Sequence, residues 1–123
     1  LAHRVDGVWY QITDQPGATG NYGEASGSSM FVYMLAKAIN KGYLDAGYRE
    51  AAAESYRRLV EEFVNVSATG AVSLTGICQV AGLGYGRDGS YRYYMSEPVV
   101  SNDPKGVGPF IMAGIEVSKM LED

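Results

Sequence analysis

The sequence predicts an all-α protein built on an antiparallel helical hairpin, with short β-hairpin pieces held in its long loops. Three observations carry that reading. The stretch Asn21 to Ala38, "NYGEASGSSMFVYMLAKA", opens on small and polar residues and then turns apolar on nearly every side until Lys37, whereas a surface helix shows one apolar stripe and one charged face. A second segment, from about Ala46 to Val64, places Tyr48, Ala52, Tyr56, Leu59 and Phe63 at spacings of three and four, which gives a single buried stripe. The connection between them, Gly42 to Asp45, is short enough to make the two antiparallel neighbours. The first helix is then the inner member of the pair and the second the outer one.

Taken in order, residues 6 to 23 are rich in glycine and turn formers around a β-prone "VWYQI", and read as loop, short strand, loop. Asn21 and Glu24 have the separation of a capping box at the start of the inner helix. That helix runs to about Lys41, and Gly42 suits the left-handed stop a helix C-terminus prefers. Asp45 is placed to cap the outer helix, on which Glu54–Arg58 and Arg57–Glu61 are expected as ion pairs one turn apart. From Asn65 to Lys105 helical period is lost, and "GAVSLTG" and "GSYRYYMSEPVV" read as short strands joined through "GLGYGRDG". A last helix is expected from about Gly108 to Leu121, with Pro109 in the first turn, where its missing N–H is harmless. Both long connections lead into inner-type helices, so one end of the structure is elaborated, and loops on a rigid scaffold are where sites are built.

Composition narrows the partners. The chain has 123 residues, 46% of them hydrophobic, and a formal net charge of -4. It fits a globular domain. Without a run of Lys or Arg it lacks the footprint of a nucleic-acid binder, and no apolar run approaches the ~20 residues that cross a bilayer. One cysteine and one histidine supply neither a disulfide nor a zinc ligand set.

Several motifs have ordinary explanations. Gly84-Tyr85-Gly86-Arg87-Asp88-Gly89 fits G-x-G-x-x-G, but "SYRYYM" after it is not helical in pattern, so a hairpin turn is the better reading than a nucleotide cradle. Cys78 reads as a small buried thiol rather than half of a nucleophile pair with His3. Among the carboxylates Asp6, Asp14, Glu24, Glu97 and Asp103, Asp14 and Asp103 sit in ordinary turn sequences. Trp9, Tyr10, Tyr22, Tyr85, Tyr91, Tyr93 and Tyr94 gather in the elaborated loops, where flat rings with a polar handle suit sugar faces and rim packing alike.

Three blocks, "GVWYQITDQPGATGNYGEASGSSMFVYMLAKAINKGYLD", "LTGICQVAGLG" and "GSYRYYMSEPVVSNDPKGVGPFIMA", together resemble the C-terminal part of the unsaturated rhamnogalacturonyl hydrolases, glycoside hydrolases related to the unsaturated glucuronyl hydrolases. The resemblance covers Gly7 to about Glu116. It implies part of a six-hairpin (α/α) barrel in which the helix from Glu24 is an inner stave, and it makes residues 1–123 the C-terminal portion of a single catalytic domain. A start at Leu1 rather than Met fits that reading.

The chemistry implied is hydration, for which neither a metal nor an organic cofactor is expected. A carboxylic acid protonates the C4=C5 double bond of a terminal unsaturated galacturonic acid in a rhamnogalacturonan-derived disaccharide, water adds at C5, and the hemiketal opens and expels the neighbouring sugar. The family's catalytic aspartate precedes the "GVWYQ" block and has no match here, so the 123 residues alone are expected to be inactive. Trp9, Gln11, Tyr22, Glu24, Ser26 and Lys105 are expected at the pocket end as substrate-binding residues, with the helix N-termini at Glu24 and Gly108 offering partial positive charge to the substrate carboxylate. The expected partners are the unsaturated uronyl oligosaccharide, and either further copies of the chain or the N-terminal part of the barrel. A truncated barrel that binds sugar without turning it over, or serves structure alone, is the alternative.

Overall fold

The computed structural model describes residues 1–122. Its scaffold is three long helices: α1 (Ala25–Asn40), α2 (Arg49–Phe63) and α4 (Pro104–Glu122), with the short α3 (Tyr91–Ser96) in the last long connection. Two small antiparallel pairs accompany them. β1 (Val64–Val66) lies against β2 (Val72–Leu74), with Asn65 opposite Ser73, and β3 (Ile77–Cys78) lies against β4 (Val99–Val100), with Cys78 opposite Val99.

α1 is the central helix. Val32, Leu35, Ala36 and Ile39 meet Ala52, Leu59 and Phe63 of α2 and Ala113, Val117 and Met120 of α4 in one buried core, which Val8, Trp9, Leu74 and Ile77 close at the loop end. Small residues allow the close approaches. A Cβ on Gly114 of α4 would lie 3.0 Å from the ring carbon Cζ of Tyr56, whose ring stacks on Phe110 at 5.4 Å, and one on Gly106 would lie 2.6 Å from Ile77. Ser28, Ser29 and Ser55 are fully buried, each hydroxyl bonded to a neighbouring group: Ser29 to the Ala25 carbonyl, Ser28 to Trp9, Ser55 to Arg4. Within this chain the other side of the inner helices is open. Met30, Phe31 and Met34 on α1 and Ile111, Met112 and Ile115 on α4 are exposed.

The hairpin is as expected: α1 ends at Asn40, Gly42 adopts a φ of 69°, and the Asp45 side chain accepts from Gly47 N–H, here opening a single 3-10 turn, Ala46–Tyr48, before α2. Tyr48 lies on that turn and is exposed, so the buried stripe begins at Ala52 and includes Ser55. The Glu54–Arg58 pair does not form, because each partner is drawn elsewhere. Arg4 reaches back from the N-terminal loop to Glu54 at 3.0 Å, and Arg58 takes Glu61 at 2.7 Å.

Four local expectations are corrected. "VWYQI" forms no strand: Val8 bridges back to Val5 and Tyr10 to Gly23, two isolated pairs with different partners rather than a continuous ladder. "YRYYMS" is α3, because Ser90 accepts from Tyr93 N–H and starts a helical turn that the aromatic, β-prone composition conceals. The last helix begins at Pro104, not Gly108, with Asp103 accepting from Lys105 N–H at 2.9 Å, so Pro104 takes the first helical position and Pro109 lies inside. The capping box is replaced as well. Asn21 instead pins the 12–21 loop, accepting from Ile12 and Tyr22 N–H and donating to the Ile12 and Gln15 carbonyls, while Glu24 caps α1 itself.

Candidate functional site

The elaborated end forms where the starts of α1 and α4 meet the β2–β3 turn. Gly76, with φ 71°, turns its carbonyl to Ala25 N–H at 2.8 Å, and Asn102 locks the far side by donating its N–H to Leu74 O and accepting from Leu74 N–H. β3 is thereby held between the two helix N-termini.

Glu24 occupies the centre of this joint and is 5% exposed. Its Oε1 accepts from Ser26 N–H (3.2 Å), the Ser26 hydroxyl (2.7 Å) and Cys78 N–H (2.9 Å), and its Oε2 accepts from Gly27 N–H (2.6 Å). A carboxylate offers about four acceptor positions, so both oxygens are filled by donors of the chain itself. The α1 N-terminus is equally closed. Glu24 N–H goes to Trp9 O, Ala25 N–H to Gly76 O, and Ser26 and Gly27 N–H to the Glu24 carboxylate, which accounts for all four otherwise orphaned donors. At α4, Asp103 takes the N–H groups of Lys105, Gly106 and Val107, and its carboxylate also holds the Lys105 ammonium at 2.7 Å. Both helix ends are satisfied by the protein's own acidic residues.

Gln11, Tyr22, Glu24 and Ser26 come together around Cys78. Gln11 donates its side-chain amide to Cys78 Sγ at 3.4 Å, and Gln11 N–H pairs with Tyr22 O at 2.9 Å. The Tyr22 hydroxyl is buried beside the thiol with no well-formed hydrogen bond. Burial, then the neighbouring Cys78, Glu24 and Glu97, push the Tyr22 phenol well above its ordinary value, and burial likewise pushes the Cys78 thiol up. Cys78 is the small buried thiol expected of it.

The side chains of Trp9 and Lys105 stand apart from this group, although the Trp9 carbonyl accepts from Glu24 N–H at 2.9 Å. The Trp9 backbone is tied to Ser28 on both sides, N–H to Oγ at 2.9 Å and hydroxyl to carbonyl at 3.1 Å. Its buried indole donates to Ala2 O and lies 4.9 Å from the Phe31 ring, lining an apolar cavity of about 250 Å³ with Leu35 and Met34. Lys105 is exposed on the first turn of α4. Gly84 and Arg87 exchange backbone hydrogen bonds, which makes "GYGR" the tight turn expected and leaves Tyr85 fully in solvent. Sequence reasoning named two members of the site without assigning them a place in it. Glu97 belongs to the charge environment of Tyr22 and Cys78, and the Cys78 peptide N–H bonds Glu24, a role for which backbone groups leave no signature. Among the described residues no group of three His, Cys, Asp or Glu is placed to hold a metal, and no helix is long and apolar enough to cross a membrane.

The family model described as Glycosyl Hydrolase Family 88 matches residues 2–121. "Protein Atu3128" of Agrobacterium fabrum is 45% identical over 119 residues, covering 89% of this chain and 51% of that protein, so the chain spans about half the length of the curated relatives it matches. Among solved structures, a glycoside hydrolase from family 105 of C. acetobutylicum ATCC 824 superimposes with a TM-score of 0.92 at 48% identity, over 96% of this chain and 34% of that one. A possible member of the same family from Salmonella enterica shares the fold at a TM-score of 0.73 and 23% identity, over 98% of this chain and 28% of that one. The mainly helical architecture with short antiparallel strand pairs is the one these structures share.

Proposed function

Because the chain belongs to Glycosyl Hydrolase Family 88, we propose that it forms the C-terminal portion of an (α/α) barrel that hydrates the C4=C5 double bond of a terminal unsaturated galacturonic acid in rhamnogalacturonan-derived disaccharides. The observation that carries this reading is the agreement with the family 105 hydrolase from C. acetobutylicum, at 48% identity and a TM-score of 0.92. In this reading the proton donor is a carboxylic acid outside these residues. The chain supplies one wall of the pocket, and Gln11, Tyr22 and Ser26 at the elaborated end are its polar contacts, with Trp9 behind them and Lys105 at the rim. Two features support that placement. The three polar residues converge on one small region at the start of the inner helix, and the loops that carry them are pinned by Asn21, Gly76 and Asn102 rather than left to sample conformations. With both helix N-termini closed by Glu24 and Asp103, the substrate carboxylate is recognised by side chains and not by free helix amides.

The test is loss of the ultraviolet absorbance of the double bond when the full-length protein is mixed with an unsaturated galacturonyl-rhamnose disaccharide. Turnover of that substrate with the Gln11→Ala variant raised in KM is the expected result. Full-length protein that leaves every unsaturated uronyl disaccharide intact, while cleaving a saturated glycoside, would refute the reading.

A further inference from the structure

We propose that Glu24 is a positioning residue, whose carboxylate fixes Gln11 and Tyr22 for turnover by bracing the Cys78 peptide against the first turn of α1; this rests on the function proposed above. The choice of residue is the first sign. Helix N-caps favour Ser, Thr, Asp and Asn, whose short side chains reach back to the second and third amides. Glu24 makes those same bonds, to Ser26 and Gly27, and has an extra methylene to spare. That added length lets Oε1 meet the amide of Cys78, 54 positions further along the chain, at 2.9 Å.

The surroundings are fitted to this reach. Gly27 has no Cβ, and one built there would stand 3.1 Å from Oε2, tighter than an ordinary contact. The Ser26 hydroxyl donates to the oxygen that also holds Cys78 and so fixes its direction. Cys78 Sγ then accepts from Gln11, and the Tyr22 hydroxyl is buried at its side. The 9–11, 22–28 and 76–78 segments are thus joined through one carboxylate. A group placed about 1 Å away from its productive position can slow turnover by a hundredfold.

Glu24→Asp separates the brace from the cap. Asp is a favoured cap and keeps the charge, but its side chain is about 1.5 Å shorter. In the full-length protein the melting temperature should stay within a few degrees of the parent, the Cys78 amide should exchange with solvent roughly tenfold faster, and kcat should fall by about tenfold to a hundredfold, with KM rising no further than in Gln11→Ala. Faster Cys78 exchange with parental kcat and KM would overturn the proposal, reducing the contact to a structural one. A fall in kcat without faster exchange would overturn it too, since the effect would then not run through Cys78, as would loss of the fold, which would make the reach to Cys78 a requirement for folding rather than for placing Gln11 and Tyr22. A parent protein inert on unsaturated uronyl disaccharides would instead strike the functional reading on which the proposal rests, and the exchange arm would still report whether the brace exists.

Discussion

Substituting Gly76 by Ala tests the joint that seats β3. Gly76 has φ 71°, and a Cβ there would stand 2.5 Å from Cδ1 and 2.7 Å from Cε1 of Phe63. Phe63 cannot step aside, because it is 5% exposed and packed in the core. Two penalties therefore add. An L-residue in the left-handed region costs about 1 to 2 kcal/mol, and overpacking a filled core costs about 1 to 3 kcal/mol more. The lower entropy of the unfolded Ala chain returns about 0.4 to 1 kcal/mol, leaving a net loss of about 1 to 5 kcal/mol. At about 4 °C per kcal/mol for a domain of this size, the melting temperature should fall by about 4 to 20 °C. Gly70 is the control, with φ 82° and nothing within 4 Å of a built Cβ. Its Ala variant meets only the backbone term and should lose about 1 kcal/mol or less. Urea unfolding of both variants beside the parent measures the difference. If the two variants lie within about 0.5 kcal/mol of each other, the Phe63 contact does not restrain this turn and the argument for a rigid β3 fails.

Leu59→Ala removes a fully buried side chain between the helices and should cost about 2 to 5 kcal/mol by chemical denaturation, with a smaller loss signalling a core that collapses around the gap. The Cys78 thiol and Tyr22 phenol both hold their protons more tightly in the folded protein, for burial first, so the unfolded chain releases them earlier and stability falls as pH rises. That stability is fully present below the ordinary thiol value of 9.0 and is lost above it, with a further loss above 10.0 that the buried Tyr56 phenol shares and that Tyr22→Phe should reduce; a flat profile from pH 8 to 11 would contradict the sign. The 123-residue polypeptide by itself should scatter light as a species heavier than its 13.2 kDa, since Met30, Phe31, Met34, Ile111 and Ile115 are exposed, and Met34→Glu with Ile111→Glu should lower that mass. A clean monomer would refute it. The same polypeptide should leave the absorbance of an unsaturated uronyl disaccharide unchanged, and measurable turnover would place the acid within these residues.

The helical hairpin was legible because its signals are periodic and local: an all-round apolar α1, a striped α2, Gly42 to stop one and Asp45 to start the next. α3 was not, because Tyr91, Tyr93 and Tyr94 favour strands and only Ser90, a single capping residue, speaks for a helix. At the site, the sequence drew attention to Gln11, Tyr22, Glu24 and Ser26 by position alone. It could not show that Asn21 serves the loop before it while Glu24 serves a strand far beyond it, since both are choices between hydrogen-bond partners of similar strength that only the folded backbone decides.

The Glu24–Cys78 bond also has a consequence for the order in which the molecule assembles. α1 and α2 are neighbours through a short turn and can meet early, whereas the carboxylate and its amide can meet only after the intervening helix and β1–β2 hairpin have closed a loop of 54 positions. Contacts of such separation form late because their loop entropy is lost before they give anything back. In refolding followed by pulsed exchange, the amides of α1 and α2 should therefore gain protection first and Cys78 among the last, so that the elaborated loop end remains open while the helical frame is already set.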